Sequence, residues 1–481
     1  IGIWASKRIR DEDDFFVAGR NLRTPVVTLS LFATWFGAET CLGASGAVYA
    51  DGLSGARADP FGYAACLLIM GVVLAKRLSA RRFTTLGDLY RERFGVAAER
   101  VAVLVLVPSS LIWGAAQMRA FGQVISATTQ VDVSLAISVS AALVILYTFI
   151  GGLLGDMVTD MVQGLLLSVG LALLAFCVWR EVPATLDLSQ ALTRERVSML
   201  PVGESPWVQL DRWAVPIFGS LIAQELIARV LAARTPVIAR RGSILASLLY
   251  IMVGTIPIVL GLLGPSLIPN LEQPEQLLPR LAQSYLGPTL SIIFTCALLS
   301  AILSTIDSIL LSSSALISHN IVAPVFGLSG TKSSLRVGRA LVVAAGLFAY
   351  VVALHATTIY DLVETASTFG TAGILVTTIG ALFVRRGGQR VAVIAIIVGL
   401  VTTPFAEYVL RWPAPFLTSV AASSLTFAWG LPQPHADRGV PLSRSPRLTI
   451  QRIGRALVDA RHHATPVSRQ WPQIDRPQAF F

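Results

Sequence analysis

Small and hydroxyl-bearing side chains share one face of an apolar stretch near residue 300. In ALLSAILSTIDSILLSSSALISHN, Ala301, Ser304, Thr305 and Ser308 follow the i, i+3, i+4 and i+7 spacing of a helical face. Because hard cations prefer oxygen donors, this face is a candidate sodium site. Hydroxyls on a small-residue face also hold membrane helices together, and the spacing alone favours neither interpretation.

A second polar region interrupts the first long apolar stretch, SLFATWFGAETCLGASGAVYADG. Gly37, Gly43 and Gly46 surround the polar pair Glu39 and Thr40, and such a sequence makes a poor continuous helix. A break at the centre of a membrane helix frees backbone carbonyls for a cation and helix ends for a solute. Close packing of small residues between helices explains the same composition, and both explanations stand at this point.

Ionisable side chains recur inside the apolar stretches, where their burial in hydrocarbon is costly and makes each one a functional candidate. They are Glu39, Arg119, Asp160, Glu225, Arg229, Asp307 and Glu364. Pairing between neighbouring helices is the structural alternative. No metal-ligand spacing and no nucleophile and base arrangement accompanies them, so we expect neither a catalytic site nor a cofactor.

The elements that must position these residues are membrane helices. Of the 481 residues, 54% are apolar and 14% are charged, and the mean hydropathy is +0.67, whereas soluble domains carry about 25% charged residues. Apolar runs of about 20 residues, enough for a membrane-spanning helix, recur along the chain. We predict twelve spans, at 24–50, 60–79, 101–127, 133–150, 157–179, 213–233, 243–264, 286–318, 338–356, 359–384, 390–410 and 414–431. The sequence therefore indicates an all-α polytopic membrane protein and excludes a water-soluble enzyme.

The distribution of Lys and Arg predicts the orientation in the cell membrane. Alternate connections differ strongly in their basic residues, and the positive-inside rule assigns the richer set to the cytoplasm. That set comprises 1–23, 76–100, 151–156, 229–242, 319–339 and 385–390, of which only 151–156 has no Lys or Arg. We expect 1–23 to be the end of a truncated first helix and a cytoplasmic loop, and 432–481 to be a mostly disordered cytoplasmic tail. Membrane topology also explains the net charge of +10, so we expect a lipid bilayer and no nucleic acid as partner.

Five blocks of sequence occur in one order along the chain. They are DFFVAGRNLRTPVVTLSLFATWFGAETCLGASGAVYADGLSG, RRFTTLGDLYRERFG, YTFIGGLLGDMVTDMVQG, ARVLAARTPVIARRG and SAILSTIDSILLSSSALISHNI. Together they resemble the solute:sodium symporter family. The resemblance extends over about residues 13–410, most of the chain.

The resemblance implies a leucine-transporter-type fold with a core of five plus five helices in inverted repeat. The repeats would occupy 24–179 and 213–384, and 390–431 would form two peripheral helices. In this family a sodium ion lies between the first and eighth core helices. The positions that match its ligands are the carbonyls of Ala33, Phe36 and Ala301 and the hydroxyls of Ser304 and Thr305. Asp160 matches a family aspartate that helps sodium leave inward.

Substrate positions carry over less completely. The residues that flank the break in the first helix, with those on the sixth core helix, are Thr34, Trp35, Ala38, Glu39, Thr40, Gln224 and Glu225. Sugar-transporting relatives place an amide and an aromatic gate where this chain has Ala223, Gln224 and Glu225. Proline-transporting relatives carry an aspartate where Trp35 stands, so the motifs indicate neither solute. Glu39 and Glu225 would suit a cationic or amino-bearing solute, or would pair with Arg119.

The resemblance implies sodium-coupled import of a small organic solute by alternating access, with Na⁺ as the coupling ion. Two alternatives stay open. A transporter-like domain of a signalling protein would sense the solute without moving it, and an H⁺-coupled symporter would use the carboxyls of Asp160, Glu39 and Glu225. The hydroxyls of Ser304 and Thr305 suit an alkali cation.

Overall fold

The computed structural model describes residues 12–129, 131–181, 192–201, 203–327, 331–356, 359–384 and 386–430. The predicted tail at 432–481 and the first part of the predicted segment 1–23 lie outside these residues. Within the described ranges every regular element is a helix. Nine helical stretches among them are long and apolar enough to cross a membrane, and a bent pair of helices would make a tenth.

The α-helices are joined by short loops and by π and 3-10 turns. They are Glu12–Val17, Thr24–Trp35, Ser45–Asp51, Tyr63–Ile69, Ala75–Ala80, Leu86–Phe94, Val96–Thr129, Val133–Glu181, Arg194–Val197, Pro206–Ala214, Gln224–Leu231, Pro236–Leu267, Leu277–Tyr285, Pro288–Ile317, Ala323–Phe326, Thr331–His355, Ile359–Thr368, Thr371–Phe383, Gln389–Pro404 and Pro415–Trp429.

The first predicted span is interrupted in the structure. Its first half, Thr24–Trp35, ends where Phe36 leaves helical geometry, with φ −88° and ψ 88°. Helical structure resumes over 39–51, beginning with a π turn. We call these two halves the first broken helix. The interruption includes Gly37, in the region where glycine and polar residues predicted a weak helix.

A second helix is broken at the corresponding place in the second half of the chain. Pro206–Ile222 and Gln224–Leu231 meet at an angle of 48°, at Ala223, whose φ is −59° and ψ is 127°. We call this pair the second broken helix. Inverted-repeat transporters place broken helices of this kind at the bilayer midplane, where they form the binding sites.

The predicted connection at 151–156 is shorter in the structure. Two candidate spans, Val133–Ile150 and Gly152–Glu181, follow each other directly and meet in a kink at Gly152, where φ is 58° and ψ is −179°. We call Val133–Glu181 with this kink the kinked helix. Glycine adopts a positive φ without steric cost, so a single residue replaces the expected loop. Asp156 therefore lies inside this kinked helix, and its side chain is buried.

The helix Pro288–Ile317, which we call the serine helix, lies at the centre of the bundle. It packs against the kinked helix, the first broken helix and the long helix Val96–Thr129. Its buried part includes the predicted hydroxyl face, whereas Ile292 and Ile293 near its beginning are exposed. The packing therefore directs the hydroxyls toward the break rather than outward.

Candidate cation and solute sites

The serine helix faces the break in the first broken helix. Thr305 Oγ1 lies 3.1 Å from the carbonyl oxygen of Thr34 and 3.2 Å from that of Ala301. Gly37 lies beside this contact, since a Cβ on this residue would be in van der Waals contact with Thr305 Oγ1, at 3.4 Å. Two carbonyls and a hydroxyl thus converge where the helix is open, and oxygen ligands of this kind suit Na⁺.

Asp160, on the kinked helix, supplies the negative charge beside this opening. Its carboxylate accepts a hydrogen bond from the hydroxyl of Ser304. Ser30 and Thr34 each donate to its Oδ2 at 3.1 Å. Because Ser304 gives its hydrogen to Asp160, the lone pairs of its oxygen are left to face a cation.

The fully buried guanidinium of Arg229 pairs with two carboxylates beside the break. Arg229 Nη2 lies 2.6 Å from Asp160 Oδ2 and 2.8 Å from Asp156 Oδ2, and all three side chains are 0% exposed. Ser308 accepts from Arg229 at 2.6 Å and donates to Asp156 Oδ1 at 2.8 Å. One guanidinium between two carboxylates leaves a net negative charge when all three are ionised, which favours a cation nearby.

A cavity of about 470 Å³, counting the open space at its mouth, lies on the other side of the break. Three aromatic residues line one part of it: Trp35, Tyr63 and Trp113. We call them the aromatic cage. The rings of Trp35 and Tyr63 meet edge to face with centroids 4.9 Å apart, and those of Trp35 and Trp113 are 6.2 Å apart. Glu225 also lines the cavity, together with the hydroxyl-bearing residues Ser109, Ser110, Ser220, Ser367 and Thr371.

Glu39 lies behind the aromatic cage and fixes two of its rings. Tyr63 donates its hydroxyl hydrogen to Glu39 Oε1, and Trp113 Nε1 donates to Glu39 Oε2 at 3.1 Å. The indole nitrogen of Trp35 is buried and has no hydrogen-bond partner among the described residues. The cage therefore combines three aromatic side chains, one carboxylate and one N–H donor that has no partner among the described residues.

The predicted substrate residues divide into two groups. Trp35 and Glu225 line the cavity, and Glu39 contacts the cage from behind. The other four face elsewhere: Thr34 bonds to Asp160, Thr40 to Asp59 and Tyr250, Gln224 accepts from the amide of Leu86, and Ala38 is buried outside the cavity lining.

The predicted cation residues lie along the same contact. Ser304 and Thr305 reach the break as described, and the carbonyl of Ala301 lies beside Thr305. Ala33 packs against Gly164, and a Cβ added to Gly164 would lie only 2.7 Å from the Cβ of Ala33. The ring of Phe36 stacks on Phe32 with centroids 4.7 Å apart. The backbone carbonyl that Thr305 meets in this structure is that of Thr34.

Sequence reasoning missed four residues at these sites. Tyr63 and Trp113 resembled ordinary apolar core residues, and Asp156 fell in the predicted loop. Asp59 was assigned to a connection, yet it is buried against the first broken helix. A sequence signal existed only for the two aspartates, as carboxyls next to apolar runs. The aromatic residues gave none, because their partner Glu39 is distant in the chain.

Comparisons with known proteins match this architecture. Residues 15–399 match the sodium:solute symporter family. High-affinity choline transporter 1 of Caenorhabditis elegans is 28% identical over 403 residues, 75% of this chain and 67% of the relative. High affinity choline transporter 1 of Homo sapiens is 27% identical over 434 residues, 83% of this chain and 73% of the relative. Among solved structures, a Na⁺-coupled sialic acid symporter in a substrate-bound outward-open state has a TM-score of 0.76 at 20% identity, with 89% of this chain and 93% of that chain covered.

The two broken helices and the candidate spans form a multi-pass membrane fold of the leucine-transporter type, shared with the solved symporter, and the family match makes the chain a transporter, not an enzyme. The chain belongs to the sodium:solute symporter family, since the match covers most of its length. The predicted family and fold class are thus confirmed. The names of the relatives include different solutes, so family membership leaves the solute to be argued from the cavity.

Proposed function

We propose that this chain is a sodium-coupled symporter that imports a small organic cation of the quaternary ammonium type. The aromatic cage with Glu39 behind it is the observation that carries the proposal. Alternating access would move Na⁺ and the solute together. The two binding regions described above would be their sites.

Aromatic faces bind organic cations through the ring quadrupole. Each such contact contributes about 0.5–2 kcal/mol, and recognition of quaternary ammonium groups by aromatic cages is its main functional use. Glu39 adds a charge of the opposite sign, and its hydrogen bonds hold Tyr63 and Trp113 in place. A quaternary ammonium group has no N–H to donate, so cation–π contacts and the charge of Glu39 are its main sources of binding energy. An amine could instead be bound through hydrogen bonds.

The other part of the cavity suits a polar tail. Ser109 and Thr371 line it, and since their hydroxyls donate to backbone carbonyls, their oxygen lone pairs are left to accept a hydrogen bond. Glu225 discourages an anionic tail. A solute with a cationic head and a hydroxyl tail, such as choline, matches both parts. The names of the relatives in Caenorhabditis elegans and Homo sapiens support this choice of probe.

Sodium coupling is supported by the oxygen ligands at the break. We infer that Na⁺ binds at the break of the first broken helix, with Asp160 beside it. Its ligands would be the backbone carbonyls of Ala33, Phe36 and Ala301 and the hydroxyls of Ser304 and Thr305. Each 100 mV of membrane potential adds about 2.3 kcal/mol per charge to inward movement. Uptake into a cell with a negative interior is therefore the expected direction.

The orientation of the chain in the cell membrane is part of the proposal. The richer set of Lys and Arg connections would face the cytoplasm, along with the segment after residue 431. The apolar outer surface, which includes Leu104 and Val169, would contact lipid.

A pair of solutes that differ only in charge tests the proposed substrate class. Choline and its neutral carbon isostere, 3,3-dimethylbutan-1-ol, have nearly the same shape. We expect choline to raise the melting temperature of the purified full chain in sodium chloride, more than in potassium chloride, and the isostere to have little effect. Equal effects of the two solutes would contradict cation recognition.

A matched pair of variants locates the effect. Trp35→Leu removes one wall of the aromatic cage, and Trp429→Leu removes an exposed indole far along the chain. We expect the first variant to lose at least tenfold in choline affinity and the second to bind as the wild type does. The same loss in both variants would exclude the cage as the binding site.

A further inference from the structure

Asp59 is a buried carboxyl that neither the sodium site nor the solute cavity uses. It is 3% exposed. Its Oδ2 lies 2.7 Å from Thr40 Oγ1, and its Oδ1 lies 3.1 Å from the hydroxyl of Tyr250. Tyr250 is also 2.8 Å from Thr40 Oγ1 and 3.0 Å from the carbonyl oxygen of Trp35. Four groups thus form a closed cluster of oxygens on both sides of the helix break.

No basic side chain of the described residues lies within 4.0 Å of Asp59. Its neighbour in sequence, Arg57, is paired with Glu204 at 2.6 Å. The titratable groups that act electrostatically on Asp59 or feel its charge are Glu39, Cys41, Tyr63 and Tyr250. Of these only Glu39 can add a charge near neutral pH, and that charge is negative, so none of them supplies a balancing cation. An ionised Asp59 would therefore be a buried anion without a cation to balance it.

The number of hydrogens decides which contacts in the cluster are hydrogen bonds. Thr40 and Tyr250 contribute one hydroxyl hydrogen each, whereas a carboxylate and a carbonyl contribute none. Three of the four contacts, at 2.7, 2.8 and 3.0 Å, have the length of O–H···O hydrogen bonds, and the fourth, between Tyr250 and Asp59 Oδ1 at 3.1 Å, is longer. With an ionised Asp59, one of these three short contacts has no hydrogen, and two lone pairs face each other in a buried site.

A protonated Asp59 satisfies all three contacts in one direction. Its carboxyl O–H donates to Thr40, the hydroxyl of Thr40 donates to Tyr250, and the hydroxyl of Tyr250 donates to the carbonyl of Trp35. That carbonyl belongs to the last turn of Thr24–Trp35, where backbone acceptors lack helical partners. The added hydrogen therefore completes a chain from Asp59 to the open end of the helix.

We propose that Asp59, Thr40, Tyr250 and the carbonyl of Trp35 form a proton-binding site, in which a neutral Asp59 carboxyl starts a hydrogen-bond chain across the break of the first broken helix. Thr40 follows the break and Trp35 precedes it, so the proton ties the two half-helices together. The neighbouring oxygens are 2.7–3.1 Å apart, the separation of atoms in direct hydrogen-bond contact, which leaves no space for a cation between them.

The proton and the proposed solute act on the same residues. Trp35 belongs to both the hydrogen-bond chain and the aromatic cage. Glu39, which holds the cage, is next to Thr40 of the hydrogen-bond chain. A cation in the cage favours a negative charge on Asp59, so its binding releases part of the proton. By linkage, choline affinity then falls as the pH is lowered through the titration of Asp59, by up to tenfold per pH unit for one proton.

Infrared difference spectroscopy tests the site without any solute, on the full chain in lipid bilayers at pH 7. We expect the spectrum of the wild type minus that of Asp59→Asn to contain a carboxylic acid C=O band. Asp51→Asn, which changes an exposed aspartate on the first broken helix, should give no such band. Tyr250→Phe should shift the band, since the hydrogen-bond chain then no longer reaches the carbonyl of Trp35. A carboxylate band in place of the acid band, or no difference at all, would overturn the proposal.

Choline affinity measured against pH tests the linkage and rests on the proposed function. We expect the wild type and Asp51→Asn to lose affinity as the pH falls, and Asp59→Asn to show a flatter profile. The same slope in all three proteins would overturn the linkage. If the wild type binds no choline at any pH, the proposed solute is wrong, and the infrared result still decides the proton site.

Discussion

The hydroxyl of Thr305 lies 3.1 Å from the carbonyl oxygen of Thr34, and the next residue in the chain, Trp35, forms a wall of the aromatic cage. A cation held at this contact and a solute held in the cage would act on the same turn of the first broken helix. Sites coupled in this way raise each other's affinity, usually by 1–3 kcal/mol or about 5- to 150-fold. Substitutions at the cation contact are therefore expected to change choline binding as well.

Thr305→Val keeps the shape of the side chain and removes its oxygen. We expect the sodium concentration for half-maximal choline binding to rise by about tenfold or more, because a hydrogen bond or ligand to a charged group contributes roughly 1.5–3 kcal/mol. The measurement is sodium titration of choline binding. Thr403→Val is the matched control, since Thr403 is also buried but bonds to Gly399 in a peripheral helix. Equal sodium dependence in the two variants would contradict the cation site.

The double variant Ser304→Ala with Thr305→Val is the stronger form of the same change. It removes both hydroxyls that face the break and leaves the Asp160 carboxylate. We expect sodium stimulation of uptake to disappear, with some sodium-independent choline binding left. Uptake that still increased with sodium would place the ion elsewhere.

Arg229→Met leaves two buried carboxylates, Asp156 and Asp160, without their guanidinium. Removing one partner of a buried ion pair costs about 3–5 kcal/mol. We therefore expect a large loss of stability, measured by thermal or denaturant unfolding in detergent. Adding Asp156→Asn should recover part of this loss, because one of the two unpaired charges is then absent. A double variant less stable than Arg229→Met would count against the assigned network.

Glu39→Gln removes the charge behind the aromatic cage while keeping a hydrogen-bond acceptor. We expect choline affinity to fall by about tenfold, since roughly 1.4 kcal/mol corresponds to tenfold and a close opposite charge at low dielectric contributes at least that much. The affinity for the neutral isostere should change far less. Direct binding measurements on both solutes give the ratio. A parallel loss for both would indicate that the substitution disturbs the cage shape instead.

Asp88, which lies outside the candidate membrane spans, should make the stability of the fold depend on pH. Burial opposes its ionisation, but hydrogen bonds from His319 and from the amides of Thr84 and Thr85 hold the pKa of Asp88 below its usual range. A carboxyl with a lowered pKa stabilises the fold at pH values above its unfolded pKa of about 3.9, and the effect is lost as the pH falls through the folded value.

Asp88→Asn should therefore be less stable than the wild type at pH 7, and the two should converge as the pH falls below about 4. Unfolding curves across this range measure the difference. Asp51→Asn serves as the control, because Asp51 is exposed. A constant difference between Asp88→Asn and the wild type at all pH values would show that the ionised carboxylate is not the stabilising form.

The sequence predicted the parts of the fold that depend on local composition. Gly37 and Glu39 within an apolar run predicted a weak helix, and the structure is broken there. The spacing of Ser304 and Thr305 predicted one helical face, and they share it. The sequence does not show which helix packs against this face. It therefore left open whether the hydroxyls line a cation site or hydrogen-bond between helices.

The solute cavity depended on contacts that local patterns do not contain. Tyr63, Trp113 and Glu39 come from three separate helices, and an aromatic residue in an apolar span has the same composition whether it packs or binds. Asp156 was missed for a different reason. The pair Gly151 and Gly152 is typical of a turn, and the chain does change from one span to the next there, but a single positive φ at Gly152 is enough, so the second span already includes Asp156.

Uptake of radiolabelled choline by the full chain in proteoliposomes tests the central claim most directly. We predict accumulation above the external concentration when sodium is high outside and potassium is inside, and equilibration without accumulation when the sodium gradient is replaced by potassium. Accumulation that did not depend on sodium, or binding of choline with no accumulation under any gradient, would contradict the account.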